Sequence, residues 1–111
     1  MKFFNFGRSE MIYFPDETLY FKFRENYELY LKIFSKLGIK INTDFKKISS
    51  GLPLLEAGYE TDARKFARRN FEIFKETKIK KLITTSPEGY KMFTINYPEF
   101  LPDWNIEVIN I

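Results

Sequence analysis

A small α/β domain built on a parallel sheet is the fold class that this sequence predicts, and three observations predict it. Short apolar runs alternate with longer stretches of helical period. Glycine, proline or a hydroxyl residue falls where one period gives way to the other. The chain of 111 residues is 44% apolar and carries 13 Phe, 7 Tyr and 1 Trp, enough for one core in one domain spanning residues 1–111.

Each element follows in order. Glu10-Met11-Ile12-Tyr13-Phe14 is a nearly continuous apolar run stopped by Pro15, as expected of a buried strand. From Phe23 the period changes, and Phe23, Tyr27, Tyr30, Leu31, Phe34 and Leu37 form the stripe of a helix that Gly38 ends. Ile39-Lys40-Ile41-Asn42 predicts a second strand, followed by a loop from Thr43 to about Gly58. A second helix starts near Thr61 or Asp62, carries Ala63, Phe66, Ala67, Asn70 and Phe74 on one face, and runs to about Lys78. Lys81-Leu82-Ile83-Thr84-Thr85 predicts a third strand. Ser86-Pro87-Glu88 opens the next helix with a hydroxyl cap, a proline in the first turn and an acid behind it. That helix ends between Pro98 and Pro102, and Ile106 to Ile111 is a fourth strand. The order βαβαβαβ predicts about four parallel strands with helices on both faces, a small doubly wound, Rossmann-like, three-layer domain.

The zeros in the composition exclude more than the abundances do. With no Cys and no His, the chain has no thiolate nucleophile, no disulfide, no imidazole base and no ordinary cysteine- or histidine-ligated metal site. The net charge of +3 comes from 18 basic and 15 acidic residues that are interspersed, which does not point to nucleic acid. No apolar run is long enough to span a bilayer, and the first residues lack the apolar core of a signal peptide. A cytoplasmic protein is expected.

In open parallel sheets ligands bind beyond the carboxyl ends of the strands. Asp16 and Glu17, then Ser49-Ser50-Gly51, then Thr85-Ser86-Pro87-Glu88-Gly89 follow successive strands and are expected to meet in one cleft. A hard cation on Asp16 and Glu17, or an anion at the helix opened by Ser86, competes there with plain turns and caps. The turns and caps are the expected reading, with no metal and no cofactor. Asn70, on an apolar stripe, is expected to bond backbone groups of the serine loop.

The residues at the three loops resemble a known family. Ser49-Ser50-Gly51, with Pro53, Gly58, Ala63, Ala67 and Asn70 behind it, resembles the Cys-Cys-Gly block of the cysteine-rich (CCG) domain found in heterodisulfide reductase. The same domain occurs in lactate-utilisation, glycolate-oxidase and succinate-dehydrogenase-like proteins. Phe14-Pro15-Asp16-Glu17 is similar to the family's Phe-Pro-Gly-Cys, and Thr84-Thr85-Ser86-Pro87-Glu88-Gly89 to its Thr-x-Cys-Pro-x-Cys stretch. The resemblance implies an oxidoreductase ancestry in which five cysteines hold an iron–sulfur cluster. Here the five positions are Glu17, Ser49, Ser50, Ser86 and Gly89, so no cluster thiolate remains.

The resemblance and the missing thiolates together imply a cluster-less relative, acting as a non-catalytic subunit or interaction module of a redox complex. The competing expectations are a small-molecule or metal-dependent enzyme rebuilt in the cleft, and an engineered variant of a cluster-bearing oxidoreductase. A protein partner or a homo-oligomer is expected, since family members commonly carry two such domains and the aromatic content is high. Phe93, Tyr97, Phe100 and Trp104 in the last crossover are the expected contact residues. The basic residues Arg64, Lys65, Arg68, Arg69 and Lys75 are expected to be a solvated helix face rather than a nucleic-acid surface.

Overall fold

β1 (Met11–Phe14) is the strand on which the rest of the sheet is laid. The computed structural model describes residues 10–15, 24–42 and 49–111. Asp16, Glu17 and Phe23 lie outside the described residues, as do most of the loop after Asn42 and the aromatic start of the chain. Along the described chain, β1 is followed by α1 (Arg24–Lys36), α2 (Leu52–Glu56), α3 (Glu60–Glu76) and β2 (Lys81–Thr84). The last crossover is α4 (Pro87–Lys91), a π-helical turn (Met92–Asn96) and α5 (Tyr97–Phe100), and β3 (Glu107–Asn110) completes the order.

The three strands form one parallel sheet in the order β1-β2-β3. The register sets Ile12 beside Leu82 and Leu82 beside Val108, and on the opposite face Tyr13 beside Ile83 and Ile83 beside Ile109. Because side chains alternate along a strand, this register sorts the apolar residues into two clusters. The larger joins Ile12, Phe14 and Leu82 to Phe71 and Phe74 of α3 and to Met92, Phe93 and Tyr97 of the last crossover. The smaller joins Tyr13 and Ile83 to Phe34 of α1, with Tyr27, Leu31 and Ile109 against it.

The structure corrects the expected four-strand sheet. Among the described residues, the segment 39–42 forms no strand. Asn42 N–H bonds the Met11 carbonyl at 2.7 Å, while Ile39 and Ile41 pack on the smaller cluster. Two apolar side chains anchor this segment from one side, and that fixes its position without a full ladder.

A second correction concerns the loop before α3. Leu52–Glu56 is a short helix, with Pro53 in its first turn, where a missing N–H costs nothing. A third departure lies in the last crossover, where Tyr97 N–H reaches back five residues to the Met92 carbonyl. Pro98 cannot donate and its ring would press on the carbonyl four residues earlier, and the wider turn relieves that conflict. No helix among the described residues is long and apolar enough to cross a membrane.

Candidate functional site

The carboxyl ends of β1 and β2 open into a cavity of about 270 Å³. Phe14 and Pro15 bring one wall from β1, and Thr84, Ser86 and Gly89 bring another from the end of β2 and the start of α4. Ser50 and α2 residues Leu52, Pro53 and Glu56 close the third side, and Phe93 also lines the space. Two of the three expected loops therefore meet at one strand-end cleft, through Ser50 and Ser86. Ser49, Gly51, Thr85 and Pro87 are adjacent in sequence to the lining residues but do not line it. Thr85 faces the other side of the sheet, where its hydroxyl lies 2.9 Å from that of Tyr13.

The cleft's hydroxyls are bound into the backbone around them. Ser86 caps α4 by accepting from Gly89 N–H at 3.1 Å, and its own hydroxyl donates to Glu88 at 3.3 Å. Thr84 Oγ1 accepts from Ser86 N–H at 3.2 Å. Ser50 Oγ accepts from Leu52 N–H at 3.2 Å, and Ser49 Oγ from Gly51 N–H at 3.1 Å. These bonds start α4 and turn the chain into α2, so the expected capping role of Ser86 is the one observed.

Two glycines in this region are dictated by geometry. Gly51 has φ of 90°, and a Cβ there would stand 3.2 Å from Phe66 Cβ. A Cβ on Gly89 would approach Thr84 Oγ1 to 2.9 Å, closer than side chains tolerate. The start of α4 thus presses directly on the end of β2, and position 89 has no room for a side chain without a shift.

Behind the cleft a buried polar network ties the serine pair to the core. Asn70 Nδ2 donates to the Ser49 carbonyl at 2.7 Å and to Tyr97 Oη at 3.0 Å. Tyr97 Oη in turn donates to the Ser50 carbonyl at 2.7 Å. The expected tie from Asn70 to the loop backbone is present, and Tyr97 is the partner that the sequence did not reveal. Both side chains are buried, so these bonds replace water that the two carbonyls would otherwise need.

Charge at the cleft is acidic and exposed, through Glu56 and Glu88. Such a mouth disfavours an anion on the α4 N-terminus. Among the described residues no group of three carboxylates could hold a metal ion. Among the described residues the cleft offers hydrogen bonding, apolar contact and two exposed carboxylates.

Of the four residues expected at an interface, two are buried and two are half-buried. Phe93 and Tyr97 are buried in the larger core cluster, where their rings pack 4.8 Å apart. Trp104 is half-buried against Phe71 and Tyr97, at 5.2 and 4.9 Å. Phe100 is half-buried under the Arg64 guanidinium, 4.7 Å from its ring centre. Ala67 belongs to the same buried cluster.

The basic helix face is largely exposed, and from it Arg64 reaches Phe100 while Arg68 and Lys75 reach Asp103. Arg64 pairs with Glu60 at 2.8 Å, and Arg68 and Lys75 both reach Asp103, at 3.3 and 3.6 Å. Hydrogen bonding from Arg68, with smaller contributions from its charge and that of Lys75, holds the Asp103 carboxyl below its usual pKa. Lys75 also lies over the Phe71 ring and Arg69 over Phe66.

The class these observations define is a mixed α/β domain with a parallel sheet and a small strand-end cleft. No family model, curated protein or solved structure matches the chain.

Proposed function

We propose that this chain is a non-catalytic interaction module, a cluster-less relative of the cysteine-rich domain of heterodisulfide reductase, working in a cytoplasmic redox complex. The single observation that carries the non-catalytic part is the engagement of the cleft hydroxyls in backbone caps. Ser50, Ser86 and Thr84 each hold a backbone N–H that starts or precedes a helix. The chain has no imidazole to take a proton from a nucleophilic hydroxyl, and the carboxylate that accepts from the Ser86 hydroxyl, Glu88, is exposed to solvent. The redox affiliation rests on the sequence resemblance alone.

The test is purification of the chain from its own cells under anaerobic conditions, with identification of what stays bound. Co-purification of a protein carrying flavin or an iron–sulfur cluster, with no iron on this chain, is the expected result. A chain that purifies alone and turns over a small molecule would contradict the proposal and favour an enzyme rebuilt in the cleft.

A further inference from the structure

No further inference is drawn: the strongest candidate, the cavity at the carboxyl ends of β1 and β2 with Glu56 and Glu88 at its mouth, belongs to the site already described, and two exposed carboxylates do not by themselves define a ligand.

Discussion

The two faces of the sheet are built on different principles. One face is covered by α3 and the last crossover, and among the described residues its cluster joins twelve buried side chains across the sheet and these helices. The other is covered by α1, and its buried members among the described residues are Tyr13, Phe34 and Ile83. On the first face rings interlock edge to face around Phe93, Tyr97 and Trp104. On the second, Tyr13 stacks on Tyr27 at 5.5 Å while Leu29, Ile33 and Leu37 remain in solvent. The contrast teaches that, among the described residues, the buried aromatics are concentrated on the face that also anchors the serine cleft.

The largest effect expected from this contrast is at the centre of the thick face. Phe93→Ala should cost about 3–5 kcal/mol, since it removes a fully buried ring that touches Phe14 and Tyr97. Urea unfolding measures it, and a loss below about 1 kcal/mol would show that the cluster is loosely packed. Trp104→Asp belongs in the same class and should destabilise rather than merely dissociate an assembly, because the indole packs on Phe71 and Tyr97.

Next comes the network that joins the thick face to the cleft. Tyr97→Phe keeps the ring and deletes the hydroxyl, leaving the Ser50 carbonyl without that donor. The expected loss is about 1–3 kcal/mol, accompanied by faster amide exchange in the turn at residues 49–52. An unchanged unfolding midpoint would show that the network contributes nothing net.

Much of this architecture was legible in the residues, and the misses have physical causes. Phe14-Pro15, the stripe from Tyr27 to Phe34 and the Ser86-Pro87 opening each announced an element that is present. The segment 39–42 has the composition of a strand, yet composition does not report whether a neighbour supplies a ladder. Phe93 and Tyr97 were expected at a surface because a ring looks the same in a sequence whether it fills a core or an interface. What decides between them is packing against residues distant in the chain, such as Phe14 for Phe93 and Asn70 for Tyr97, which sequence order does not display. In the cleft, Ser50, Ser86 and Asn70 were identifiable from their loops and stripe. Tyr97 was not, because its hydroxyl meets Ser50 across 47 positions of chain.

On the thin face, Ile33→Glu should change stability by no more than about 0.5 kcal/mol, since Ile33 is exposed on the outer side of α1. A larger loss would mean that this helix face is covered.

The smallest effect concerns Asp103 at the rim of the thick face. Its folded pKa lies below the usual 3.8, chiefly through the Arg68 hydrogen bond. Folding therefore favours the charged carboxylate. The resulting stability is present above the unfolded pKa and disappears as pH falls through the folded one. Asp103→Asn should melt slightly below wild type at about pH 7, with the gap closing below about pH 4. A gap that persists at lower pH would assign the effect to packing instead.

In the proposed reading the cleft serines serve the fold by holding backbone N–H groups. Equilibrium unfolding of Ser86→Ala tests it most directly, because Ser86 Oγ accepts the Gly89 N–H that starts α4 at the mouth of the cleft. A capping serine lost to alanine lowers stability by about 0.5–2 kcal/mol, and that loss is the predicted result. Residues held for chemistry are commonly unfavourable to the fold, so replacing one raises stability. A Ser86→Ala protein more stable than wild type would contradict the account.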